Sequence, residues 1–137
     1  MLGSFYVSLW LIDYSMQVFF KVTSKLGRFG VHVIDRYFFD IVVNISILSE
    51  WDFEQANRIL AIMYCLNPMP DLVIYIDLPE EVAFARKDDI QSIQYLEERR
   101  YLYLRLAKHW GFEVIDGTKK KEEILEEATA LINRIFI

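Results

Sequence analysis

A single cysteine, Cys65, stands in a chain of 137 residues, so neither an intrachain disulfide nor a cysteine metal cluster can form. Within the apolar run Ile62–Leu66 it reads as a small buried side chain rather than a reactive thiol. Positive charge is also in short supply. Fifteen lysines and arginines face 20 acids, a net charge of −5, which excludes a general attraction to nucleic acid polymers but permits a local cationic pocket. No stretch reaches the roughly 20 apolar residues that a bilayer crossing requires; Leu2–Phe20 is interrupted by Asp13 and Gln17. That segment also lacks a basic leader and a small-residue cleavage site, so no signal peptide and no membrane partner are expected, and the chain reads as cytoplasmic. His32 and His109 have no metal-ligand partner at useful spacing, so no metal site is expected from them. Repeats, low-complexity tracts and interdomain linkers are missing too, and residues 1–137 suit a single domain.

What is present is apolar. Hydrophobic residues make up 54% and aromatics 15% of the chain, more than a small monomer needs, which points to a buried subunit contact. Three strand-forming runs end in an acid: Val31–Asp35, followed by Arg36, Tyr37, Phe38, Phe39 and Asp40; Leu72–Asp77, leading into Leu78 and Pro79; and Phe112–Asp116, leading into Gly117 and Thr118. In an open α/β sheet ligands bind beyond the carboxyl ends of strands, so these acids suggest one edge where polar chemistry gathers. The run Leu72–Asp77 is apolar on both faces, as a parallel strand covered by helices on each side should be.

Helical patterns fill the intervals. Ser4 to about Leu26 reads as a long helix with Asp13, Gln17, Lys21 and Lys25 as its solvent stripe and Phe5, Leu9, Ile12, Met16, Phe19 and Phe20 as its apolar face. Its first half also carries Tyr6, Val7, Trp10 and Leu11 and is apolar nearly all round, the pattern of a helix covered on both sides. Gly27 and Arg28 serve as stop signals. Further helices are expected over Phe38–Leu48, over Phe53–Leu66 behind a capping box of Asp52 and Gln55, and from Pro79 to near Arg86. Two more run over Ser92–Trp110, closed by Gly111, and from about Lys120 onward, with Ile124, Ala128, Leu131 and Ile135 inward.

Four blocks, in order, resemble the thymidylate kinase group of P-loop nucleoside monophosphate kinases, in the part downstream of their first two strands. They are Val33-Ile34-Asp35-Arg36-Tyr37, Pro70 to Val82, Ala85-Arg86-Lys87, and Phe112 to Thr118. The resemblance implies a three-layer α/β/α fold with a mostly parallel sheet, of the P-loop NTP hydrolase type. It implies transfer of the ATP γ-phosphate, with Mg²⁺, to a nucleoside monophosphate, and a homodimer through the Ser4–Leu26 helix. By the same resemblance Arg36 holds the acceptor phosphate, Asp35 lies beside metal and acceptor, and Tyr37 and Asp40 line the acceptor site. Arg86 and Lys87 begin a lid that neutralises the transferring phosphoryl group, while Asp116, Gly117, Thr118 and Lys119 pack against the adenine of ATP.

Structural readings stand beside each of these. Asp35 and Arg36 can simply satisfy loop backbone. Cations such as Arg86 and Lys87 are favoured at a helix C-terminus in any case. Arg99 and Arg100 either face the same pocket or are solvated helix residues. Lys119, Lys120 and Lys121 oppose the macrodipole of the helix they begin, yet fit a solvated charge run equally well.

The sequence departs from the family in two ways. Asp40 stands where thymidylate kinases have a serine, and Val42-Val43-Asn44 occupies the neighbourhood of their thymine-contacting Tyr-Gln pair. The chain also contains no G-x-x-x-x-G-K-[ST], the loop whose backbone N–H groups cradle nucleotide phosphates. Without its strand a gap of roughly 9–10 Å would separate the runs Val31–Asp35 and Leu72–Asp77. Either the strands close up, water and side chains fill the slot, or an N-terminal portion lies outside the given sequence. The expected function is thus a nucleotide phosphotransferase of little activity as an isolated chain. The competing expectation is a non-catalytic, dimeric nucleotide-binding or interaction module.

Overall fold

The computed structural model describes residues 2–26, 30–86 and 92–136. These fall into two units, Met1–Met69 and Pro70–Ile137, each with its own elements and core.

The first unit is helical. It contains α1 (Leu2–Leu26), α2 (Phe38–Leu48) and α3 (Phe53–Leu66). The capping box forms as expected: the Gln55 N–H donates to Asp52 Oδ1 at 2.8 Å and the Asp52 N–H to Gln55 Oε1 at 3.0 Å, satisfying two donors that a helix start leaves open. Ala56, Leu60, Met63 and Asn67 then recur at helical spacing as the buried stripe of α3 and its C-cap. Cys65 is off that stripe and exposed, which corrects the expectation of a buried thiol. From α2 come Phe38, Val42, Val43 and Ser46, all fully buried. Phe38 packs edge-on against Tyr64 with ring centroids 5.3 Å apart.

Helix α1 contributes Leu11, Ser15 and Val18 to this core. Ser15 carries a polar contact inside it: the Asn67 side-chain amide donates to Ser15 Oγ at 3.2 Å and to the Met63 carbonyl at 2.8 Å. The apolar residues assigned to the inner face of α1 lie elsewhere. Leu9, Ile12, Met16, Phe19 and Phe20 are exposed, as are Tyr6 and Trp10. The core takes the narrow stripe at 11, 15 and 18, and the broader apolar surface is left uncovered within the chain.

Val31–Asp35, expected as a strand, belongs to no strand: among the described residues the strands are two, and neither includes it. Val33 is 82% exposed. The reason is that a strand is defined by its neighbour; β-forming residues make one only where a ladder partner lies beside them.

The second unit is a crossover unit: β1 (Ile74–Asp77), α4 (Glu80–Ala85), α5 (Ile93–Trp110), β2 (Glu113–Asp116) and α6 (Lys121–Phe136). The strands are parallel, Ile74 opposite Glu113 through Asp77 opposite Asp116. A parallel pair needs a long return path, and α5 supplies it. Ser92 caps α5 by accepting from the Tyr95 N–H at 3.2 Å, and Gly111 ends it in the left-handed conformation at φ 73°, where a side chain would be strained. Leu102, Tyr103, Leu106, Ala107, Phe112 and Ile115 form the core. Tyr103 stacks on Tyr75 of β1 at 4.8 Å. Coverage of the strands is partial, since Ile76 and Val114 remain about half exposed. On α6, Ile124, Ala128 and Leu131 are half-buried as expected, whereas Ile135 is exposed.

Candidate functional site

Site residues expected from the sequence occur in both units. In the first, Asp35, Arg36 and Tyr37 share a groove of about 490 Å³ with Tyr14, Gln17 and Lys21 of α1 and with Val31–Ile34. The segment 31–36 is one wall and α1 is the other. Gln17 and Lys21, read from sequence as a solvent stripe, are exposed and also line this groove. Their four-residue spacing with Asp13 gave the face but not what the face borders.

The hinge of the site is Arg36. Its backbone adopts φ 58°, a region that residues with a Cβ seldom occupy and that costs free energy to hold. The sharp turn there ends the extended wall and starts α2 two residues later. Arg36 is 72% exposed in its side chain, and its Nε lies 3.9 Å from Asp40 Oδ2, whose side chain is 18% exposed. At that distance the pair is electrostatic rather than hydrogen-bonded. Asp35 is exposed beside it.

Tyr37 is the anchor of the same corner. Its ring is buried against Phe38, centroids 4.4 Å apart, and its hydroxyl donates to the Pro68 carbonyl at 2.8 Å. Burial, followed by the neighbouring Tyr14, pushes its hydroxyl up to about 12. Tyr14 is itself raised, first by burial and then by the Asp40 charge. Asp40 therefore faces both the tyrosine and the arginine that line the groove.

In the second unit the strand ends carry the expected acids, and they are tied down. Arg100 of α5 grips Asp77 with two bonds, Nε to Oδ1 at 2.7 Å and Nη2 to Oδ2 at 2.9 Å, and reaches Glu80 Oε2 with Nη1 at 2.8 Å. The fork geometry of guanidinium suits such a two-carboxylate clasp. Arg100 is raised well above the ordinary arginine value by Asp77 first and Glu80 second. Glu80 is held below the ordinary carboxylate range by backbone hydrogen bonding and by Arg100. Sequence reasoning left Arg100 open between pocket and solvent. The signal that identifies it is its place one helical turn before Tyr103, the residue stacked on β1.

At the end of β2, Asp116 Oδ1 accepts from the Thr118 N–H at 2.8 Å and from its hydroxyl at 2.7 Å, which keeps the acid below its usual range, the hydroxyl being the larger cause. Gly117 donates its N–H to the Asp77 carbonyl at 2.7 Å. A Cβ at Gly117 would stand 2.8 Å from that same oxygen, so only glycine fits. Lys119 is paired with Glu127 of α6. Arg86, the C-cap of α4, is exposed and has no partner among the described residues. Lys87 lies outside the described residues. Arg99 stays on its own helix, donating to the Tyr95 hydroxyl at 3.3 Å and lying 5.6 Å over the Tyr103 ring. No helix among the described residues is long and apolar enough to cross a membrane.

Comparison with known proteins gives one consistent answer. The chain is 34% identical over 116 residues to the probable thymidylate kinase 1 of Saccharolobus solfataricus, a match covering 81% of this chain and 59% of that protein. It is 31% identical over 130 residues to the thymidylate kinase of Carboxydothermus hydrogenoformans, covering 88% and 63% respectively. A shorter match of 72 residues, 40% identical, is to the thymidylate kinase of Fervidobacterium nodosum. The chain thus spans about three fifths of the length of the first two relatives. No family model matches it.

Proposed function

We propose that this chain, whose sequence is thymidylate kinase-like over most of its length, holds the acceptor side of a nucleotide phosphotransferase. The reaction is transfer of the ATP γ-phosphate to a nucleoside monophosphate, dTMP by resemblance. The observation that carries this reading is the groove of the first unit, where an exposed Arg36 projects from a strained turn beside Asp35. Phosphoryl transfer asks a protein chiefly for positioning and for positive charge around the moving group. A guanidinium can take two phosphate oxygens with parallel hydrogen bonds, and Lys21 adds a second cation at the same groove. Asp35 stands ready to accept a hydrogen bond from the acceptor. By the resemblance alone, Arg86 of the second unit is assigned to the transferred charge.

The residues for a Mg²⁺-bound triphosphate do not fit the same test. The sequence has no G-x-x-x-x-G-K-[ST], and among the described residues no three acid, histidine or cysteine side chains converge on one point. Supplied by ATP and Mg²⁺ when bound, the phosphoryl donor needs a cradle that these 137 residues do not build. The isolated chain accordingly has little or no turnover. The P-loop type of three-layer fold, the adenine contact of Asp116–Lys119 and a cytoplasmic setting enter with the resemblance. So does the homodimer, which the uncovered apolar surface of α1 supports.

That surface and the missing cradle together favour a second reading, a non-catalytic dimeric module that binds nucleotides or other chains. Calorimetry on the purified chain with ATP and a panel of nucleoside monophosphates separates the two. Binding of a monophosphate that disappears in Arg36→Ala supports the acceptor site; absence of any nucleotide binding leaves the module. Robust ATP-dependent phosphorylation of dTMP by this chain alone would overturn the proposed inactivity.

A further inference from the structure

We infer that Asp40 is a specificity residue of the groove, one that weakens the hold of Arg36 on the acceptor's phosphate and so shifts recognition toward the uncharged nucleoside portion. The inference rests on the acceptor-site reading above and deepens it.

Three observations converge on Asp40. Its carboxylate is the nearest anion to the exposed Arg36 guanidinium, 3.9 Å from Nε. Its charge reaches Tyr14, a second groove residue, where it adds to burial in raising the hydroxyl above the ordinary tyrosine value. Its position one turn into α2, next to the fully buried Phe38 and Val42, gives it little freedom to swing away when a ligand enters. An oxyanion clamped by Arg36 would then sit roughly 6 Å from a fixed negative charge, close enough for repulsion to be felt at a partly exposed site.

Two effects of Asp40 oppose each other, and distance decides between them. The carboxylate orders the arginine, which favours binding, and it repels the phosphate, which disfavours it. At 3.9 Å, too long for a hydrogen bond and with the arginine largely exposed, the pair orders the Arg36 side chain only weakly. A monophosphate carries between one and two charges near neutral pH, so repulsion is the larger effect. The hydroxyl of Tyr14, protonated at neutral pH as any tyrosine is, can donate to the polar edge of a base or sugar.

The test compares a nucleoside with its own monophosphate on the purified chain, by calorimetry with thymidine and dTMP. Asp40→Asn keeps the shape and removes the charge. Expected is dTMP binding tighter by roughly five- to tenfold, with thymidine affinity unchanged. A role in shape alone would move both ligands together, and that result overturns the inference. So does dTMP binding that stays equal or weakens in Asp40→Asn while the unaltered chain still binds it through Arg36; the acceptor-site reading then survives. If neither chain binds dTMP, both fall. Asp40→Ser, checked for folding by circular dichroism, is the second variant, and failure of both variants to fold would make Asp40 a structural residue and likewise overturn the assignment.

Discussion

The two units treat their charges in opposite ways. In the second, all three guanidinium nitrogens of Arg100 donate to Asp77 and Glu80, Asp116 is closed by Thr118, and Lys119 is paired with Glu127. In the first, Arg36 is largely exposed, held at 3.9 Å from its nearest acid, and set on a backbone conformation that disfavours it. Charges fully engaged within the chain make structure; charges presented on a strained corner, with hydrogen-bonding capacity to spare, are what a ligand can use. Both units carry an acid-tipped apolar run, so the run alone does not tell a binding corner from a structural clasp. The partner of the acid does.

The largest test of this contrast is at the clasped end. Gly117→Ala drives a Cβ to 2.8 Å from the Asp77 backbone oxygen, a contact that rigid backbone cannot relieve without shifting the strand pair. A loss of about 2 kcal/mol or more is expected in urea unfolding. An unchanged midpoint would show that the β1 and β2 ends are looser than the described contact.

Next in size is the clasp itself, and here pH gives the sign. Glu80 lies below its ordinary value of 4.5 in the folded chain, so its contribution is present above the unfolded value and is lost as pH falls through the lowered folded one. Arg100→Gln removes the cation behind that shift. The variant should melt a few degrees below the unaltered chain at pH 7, with the gap narrowing as pH falls below the ordinary glutamate value. A gap that stays constant with pH would mean that Arg100 acts through packing of its stem rather than through its charge.

How far the sequence reveals this follows the range of the interactions. Helix α3 is legible to the residue, because its boundaries are set locally by the Asp52–Gln55 box and by Pro68, and α2 is legible from its apolar run. The parallel pairing of the second and third acid-tipped runs is legible from composition together with the long helix between them. That Val31–Asp35 joins no strand is not, because strand formation depends on a neighbour that local propensity does not report. The face of α1 was misread for a related reason. When a helix is apolar nearly all round, periodicity cannot choose among stripes, and the core took the one at Leu11, Ser15 and Val18. Of the site, Arg36 and Asp35 were visible as residue types at a chain corner. Arg100 was hidden because its partners lie 20 and 23 residues away.

The smallest effect is also the one that separates the units most directly, because its sign is reversed. At φ 58° a glycine is at ease where arginine is not. Arg36→Gly removes the guanidinium and the Cβ together; the turn loses its strain, while the unfolded chain gains freedom that offsets part of the gain. The ion pair to Asp40 is long and its arginine is largely exposed, so its loss costs little. A net stabilisation of about 0.5 kcal/mol is expected in urea unfolding, together with loss of nucleoside monophosphate binding by calorimetry. Gaining stability while losing ligand is what a residue kept for binding should do, and Arg100→Gln, which loses stability, is its counterpart. Destabilisation by Arg36→Gly would mean that Arg36, like Arg100, is held for the fold, and the contrast between the two units would close.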